Sequence, residues 1–376
     1  MFDETQGVGL ARKIGADIAL AMIGSERVTN PFINNTDADA RLPHRYFETS
    51  LQNLTSDHKI AAIVRPFRHV FRSDEVEPSA NKEPSAEVEP SAEVEPSANK
   101  EPSASKEPSA SKEPSANKEP SAEEELSANK APWVKNAPSL ALIQAMLLYE
   151  ISLYYYVDRL KYANSHYAFH TVGSTISVDA RAYALVRGTP KRLAGEDFYL
   201  LNKLAKTGVV LSAHNDPIEL DARISHRTPY GTGTSIDRIQ RLSNPLKEYL
   251  YYQPAIFELL KTLLARLPLI WDRKTAADTF SNDDLLVQWG LETGAFDEIE
   301  KQKRRIKSKH VFVKFLRDWF DGFRTLKFVH YMRDKHYQSQ PLEFICPQHI
   351  DLGVSSINDA SDLRIILSKL GSPPPS

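Results

Sequence analysis

The chain has 376 residues, 41% of them hydrophobic, a formal net charge of −2 and one cysteine, Cys346. A near-neutral balance excludes a nucleic-acid binder whose affinity rests on neutralising phosphates, and one cysteine excludes an internal disulfide framework and cysteine-rich zinc sites. No N-terminal stretch combines a basic start, an apolar core and a small-residue cleavage site, so no Sec-type signal peptide is expected.

A helix is predicted over roughly Val8 to Ile23, because Leu10, Ile14, Ile18, Ala21 and Met22 recur at spacings of three and four. Polar loops follow, then a basic and aromatic stretch, Arg65 to Arg72, which suits either a docking patch or a solvated edge. From Glu77 to Lys130 the chain repeats Glu-Pro-Ser-Ala plus two variable residues eight times, with a ninth, degenerate copy at Glu125. Proline at every sixth position removes a backbone donor and disfavours the helical region before it. The regular unit has no Leu, Ile or aromatic to bury, so a disordered, solvated spacer is predicted rather than a solenoid. The chain is thus expected to divide into a leader over 1–76 for partner binding or secretion, a spacer over 77–130, and a C-terminal α+β domain over 131–376.

Past the spacer, Ser139 caps a predicted helix running to about Tyr162, whose Gln144, Glu150, Ser152 and Asp158 argue for a core helix rather than a membrane span. Strands are predicted over His166–Val172 and Arg181–Val186. A helix from Glu196 to Lys206 stops before Gly208, and Val209–Ser212 resumes a strand. Ile224 to Ile239 is rich in Gly, Thr and Ser and suits an active loop. Amphipathic segments near 254–266, 283–292 and 309–333 follow, and Asn244-Pro245 is a cap and first-turn pair. An apolar run, Leu342 to Cys346, reads as a strand ending at Pro347, and a last helix from Ser361 stops at Gly371. The order of elements predicts α+β, a small sheet with a large helical component.

Phosphate-loop, dinucleotide, zincin and nucleophile-elbow motifs are all missing. Cys346 with His349 reads as a small core residue rather than a nucleophile. Three stretches stand out: Phe169-His170-Thr171-Val172, Leu201 to Ala213, and Leu342-Glu343-Phe344-Ile345 followed by Pro347. Together they resemble mono-ADP-ribosyltransferases, bacterial toxins and type III secreted effectors with a His on the first strand and a Glu on a late one. The resemblance covers about 30 residues in short pieces.

That resemblance implies an ADP-ribosyltransferase-like sheet, NAD as cofactor, and transfer of ADP-ribose to a host protein. It also implies release without a Sec signal, action in the host cytoplasm, and a possible host activating protein. Glu343 would be catalytic, stabilising an oxocarbenium-like ribose as nicotinamide leaves. His170 would hold the adenosine-side ribose, Thr171 beside it would also bind the cofactor, and Tyr230, Thr234, Ser235 and Tyr251 would compete to shape the nicotinamide pocket. Pro341 departs from the family, since it removes the Glu-x-Glu pair of the arginine-specific toxins. The alternatives make His170 a core histidine, Glu343 a surface carboxylate, and the whole chain a helical adaptor without activity, delivered to a host or cytoplasmic. No metal ligands and no nucleic-acid partner are expected.

Overall fold

The computed structural model describes residues 7–47, 59–71, 138–213, 216–222, 231–349 and 357–373. The hexapeptide repeat and Tyr230 lie outside them. One compact unit joins Met1–Phe71 to Leu140–Ser376, and Arg72–Ser139 form the other.

Helix α1 spans Gly7–Gly24, close to the predicted range, but presents a different face. Ile14 and Ile18 are exposed, whereas Gly9 and Ala16 are buried, with Leu20 and Ile23 packed beside them. The helix lies too close to its neighbour for a large side chain. A Cβ on Gly9 would stand 2.5 Å from the Pro190 carbonyl, and the Gly9 N–H donates to the Arg192 carbonyl at 3.0 Å.

The residues before the repeat do not form a separate leader. They supply three strands, β1 (Phe32–Asn34), β2 (Ile60–Val64) and β3 (Phe67–Val70), and each pairs with chain from beyond the repeat. Those partners are β4 (Ile176–Asp179), β5 (Val209–Ser212) and β6 (Ile218–Asp221). The main sheet has the order β1-β4-β2-β5, with β4 antiparallel to both neighbours and β2 parallel to β5. Strands β1, β2 and β5 therefore point the same way and end at one edge. All five residues of β2 (Ile-Ala-Ala-Ile-Val) are buried, the continuous apolar run of a strand covered on both faces. β3 pairs in parallel with β6, Phe67 opposite Ile218.

α2 (Leu140–Tyr162) is the axis of the larger, helical core. It is long and apolar enough to cross a bilayer, but half of its most apolar window is buried inside the protein. Tyr154 donates to the Phe67 carbonyl at 2.7 Å, and Glu150 accepts from the His69 backbone N–H at 3.2 Å and from the Ser372 hydroxyl at 3.1 Å.

The two strands predicted after it are not strands. Residues 166–172 are irregular, and 180–185 form helix α3 (Ala180–Leu185), capped by the Asp179 carboxylate accepting from the Ala182 N–H. The cap turns the chain directly out of β4, and Ala182 and Tyr183 then bury a helical face. Beyond α4 (Glu196–Leu204), the predicted loop contains α5 (Thr232–Gln240), whose Ile236 and Ile239 are buried one turn apart. α6 (Pro245–Glu248), α7 (Pro254–Arg266), α8 (Asp284–Glu292) and α9 (Ala295–Arg305) follow as amphipathic pieces. The amphipathic segment near 309–333 forms two helices, α10 (Lys309–Trp319) and α11 (Gly322–Lys335), because Asp321 caps the second through the Phe323 and Arg324 N–H groups.

The predicted strand at 342–346 is helix α12 (Leu342–His349); only Gln340–Pro341 is extended, as β8 against β7 (Leu250–Tyr251). Pro341 needs no donor at a helix start, and buried Leu342 and Ile345 lie three apart, a helical spacing inside a short apolar run. α13 (Ala360–Lys369) ends the fold, followed by Gly371 at φ 88°. The architecture is α+β, with small sheets and a large helical part.

Candidate active site

Three elements meet beside the carboxyl edge of the main sheet. α1 contributes Arg12, the turn after β1 contributes Asp37, and the first turn of α4 contributes Glu196 and Asp197. Arg12 donates through Nη1 to Glu196 at 2.5 Å and through Nη2 to Asp37 at 2.7 Å. Burial opposes the charge on Arg12, but Asp37 and Glu196 outweigh it and hold the guanidinium protonated. Gly173, just ahead of β4, makes room: a Cβ there would stand 1.5 Å from Arg12 Nη1.

Asp197 is the unusual member. Burial, and then the neighbouring Glu196 carboxylate, push it up from the ordinary 3.8 to about 7, against the pull of Arg12. Glu196 takes the Arg12 ion pair, so Asp197 carries the uncompensated charge of the two. A carboxyl group that titrates near neutrality is matched to proton transfer, and such displaced values gather at functional sites.

Tyr149, on α2, extends the cluster toward α5. Its hydroxyl lies near the Thr232 and Ser235 side chains at the start of α5, and the charge of Asp197 reaches it. Burial pushes the phenol up to about 12, so it is neutral and able to donate. On the sheet side, Arg65 follows β2 directly, is 1% exposed and stacks 4.2 Å from the Tyr46 ring centroid. Carboxyl ends of parallel strands are where open α/β sheets bind ligands.

Among the described residues no three His, Cys, Asp or Glu side chains converge as a metal cage. Asp37 is taken up in its ion pair with Arg12.

The residues singled out from sequence have varied settings. His170 lies in the irregular segment before β4, its ring 4.5 Å from Tyr154 and 5.3 Å from Phe67 between centroids. Burial, and then Lys161, push it down to about 3, so it is neutral at physiological pH. Thr171 follows, half-buried. Thr234 and Ser235 occupy the first turn of α5, and Ser235 meets Tyr149. Tyr251, on β7, is buried and donates to the Leu148 carbonyl at 2.9 Å. Glu343 is the second residue of α12, on its exposed side beside Phe344, which is 55% exposed. His170, Ser235 and Tyr251 all reach α2, at Tyr154, Tyr149 and Leu148, and the pairing of Tyr251 with Gln340 brings Tyr251 toward the start of α12.

Sequence reasoning passed over Arg12, Asp37, Glu196 and Asp197. Two acidic doublets, Asp37-Ala38-Asp39 and Glu196-Asp197, carried the signal, but 156 residues and the repeat separate Asp39 from Glu196, and only the pairing of β1 with β4 unites them. No family model, curated protein or solved structure matches the chain.

Proposed function

We propose that the protein transfers a glycosyl group from a nucleotide-linked donor to an acceptor hydroxyl or amine, with Asp197 as general base. The observation that carries this reading is the geometry of the cluster, in which Glu196 and Asp37 hold Arg12 while the adjoining Asp197 carboxyl is left to burial and to the Glu196 charge, which raise it above the ordinary carboxylate range. Near neutral pH such a group is both deprotonated often enough to accept a proton and basic enough to take it. The acceptor oxygen or nitrogen forms a bond to the anomeric carbon. The bond to the nucleotide-bearing leaving group breaks with its electron pair, and the acceptor proton passes to Asp197. Arg12, held between Glu196 and Asp37, keeps a positive charge beside Asp197 toward a donor's phosphates.

ADP-ribosyl transfer from NAD to a host protein is a related substitution at an anomeric carbon, in which the nucleotide stays with the transferred ribosyl group and nicotinamide leaves with the bonding electron pair. That form assigns the decisive carboxylate to Glu343, whereas the cluster assigns it to Asp197. The two are separated by offering the full chain NAD and a panel of UDP-, GDP- and ADP-linked sugars with Mg²⁺. Donor turnover is followed with the wild type, Asp197→Asn and Glu343→Gln. The Asp197 assignment expects a loss of about a hundredfold or more in Asp197→Asn and little change in Glu343→Gln. The reverse pattern with NAD would return the site to Glu343. No turnover of any donor by folded wild type, with host lysate supplied, would favour the adaptor reading.

A further inference from the structure

A cavity of about 440 Å³ opens on the helical side of the protein, between the loop that follows α2, the junction of α7 with the 3₁₀ turn Leu267–Asp272, and α10. Its inner wall is apolar, with Leu264, Leu267, Leu316 and Phe320 contributing. Its charged lining side chains are Lys314 and Arg317, beside the polar Asn164, Ser165, His166, Tyr167 and His310, and no carboxylate is among the lining residues. The acid nearest in sequence, Asp318, ties up Lys314 at 2.5 Å but meets Arg317 only through Nε, at 3.5 Å. The terminal Nη groups of Arg317, which is 44% exposed, are thus left for a ligand. His166 is pushed down by burial and then by the Arg317 charge, so Arg317 stands at the same mouth and is the cation a ligand would meet there.

An apolar wall with a cationic mouth sorts ligands by two features at once. Apolar area favours a hydrocarbon or aryl body, since pockets of 300–1,000 Å³ are typically apolar with a few orienting polar groups. A planar guanidinium favours a phosphate or carboxylate, which accepts paired N–H donors. We propose that this cavity binds one amphiphilic anion, a molecule whose apolar body lies on Leu264, Leu267 and Phe320 and whose phosphate or carboxylate head lies at the Nη groups of Arg317. The site is separate from the Asp197 cluster and stands whether or not glycosyl transfer is found.

Calorimetric titration of the full chain tests it, with decyl phosphate, decanoate, decanol, decyltrimethylammonium and inorganic phosphate, all below micelle formation. Decyl phosphate or decanoate should bind saturably at one equivalent. Decanol, the alkylammonium and inorganic phosphate should each be at least about tenfold weaker than that anion. Whichever anion is tighter assigns the head group. Arg317→Glu should weaken it at least about tenfold with the melting transition unchanged, and Val313→Trp, at another wall of the cavity, should weaken body and head together. Saturable binding of neither anion would overturn the proposal. So would equal binding of decanol or the alkylammonium, or undiminished binding to folded Arg317→Glu.

Discussion

In Asp197→Asn the side chain keeps its size and loses the ability to ionise. The folded wild type binds a proton at Asp197 up to about pH 7, while the unfolded chain releases it near the ordinary 3.8. Between those values the folded state holds more protons than the unfolded one, so this group makes stability fall as pH rises from about 4 to about 7, with no further change on either side. At about 1.4 kcal/mol per pH unit, the full interval corresponds to a ceiling of about 4 kcal/mol by pH 8. Sharing of the charge with Glu196 and movement of Arg12 reduce this, and about 2 kcal/mol is a working value. The variant should therefore match the wild type at pH 4 and exceed it at pH 8. At about 2–4 °C per kcal/mol, the difference in melting temperature is roughly 4–8 °C. Thermal or urea melts of both proteins across pH 4 to 8 measure it. Parallel pH profiles, or a variant less stable at pH 8, would refute a carboxylate held against its charge.

The remaining expectations concern what supports the site. Residues 131–376 alone should fail to fold, because Ile60, Ile63, Val64 and Phe67 are buried, at about 1.5–3 kcal/mol each, against a whole-protein stability of about 5–15 kcal/mol; a cooperative melt from that fragment would show that β1 to β3 are dispensable. Deleting 77–130 should shift melting by less than about 2 °C if the linker is short of apolar groups as its sequence implies, provided a flexible linker still spans the gap. Gly173→Ala should displace Arg12 and lower donor turnover at least about tenfold while melting stays within a few degrees, since the clash falls on the end of a side chain; unchanged turnover would mean that Arg12 does not position the cluster. His170→Leu should lessen the loss of stability on acidification from about pH 6.5 to about 3, the interval in which the buried neutral ring of the wild type resists protonation while the unfolded chain accepts a proton. Equal acid sensitivity in both proteins would place that ring in water.

Elements whose signal is local were legible in the sequence. α1, α2, α4, α7, α8 and α13 fall close to where periodicity and capping put them, and β5 is a strand. The failures share a cause: short apolar runs do not state their period. Arg181–Val186 and Leu342–Cys346 contain enough β-branched or aromatic residues to suggest strands, yet an Asp179 cap and a Pro341 start make both helical. The larger omission is non-local. The fully buried Ile60–Val64 lies before a long hydrophilic repeat, so composition suggested a boundary, whereas ladder hydrogen bonds to β4 and β5 bridge it. The Arg12–Asp37–Glu196 cluster depends on that bridging, and no spacing rule spans it. Ser235 was reached from sequence as part of a polar loop; its contact with Tyr149 near Asp197 comes from the packing of α5 on α2.

The most direct measurement of the central claim is the pH profile of donor turnover. With Asp197 as base, kcat/KM for the accepted nucleotide-linked donor should rise to a plateau with an apparent pKa near 7, and Asp197→Asn should lose both the activity and that ascending limb while melting as a folded protein. A variant that keeps the wild-type rate and the same ascending limb would contradict the assignment.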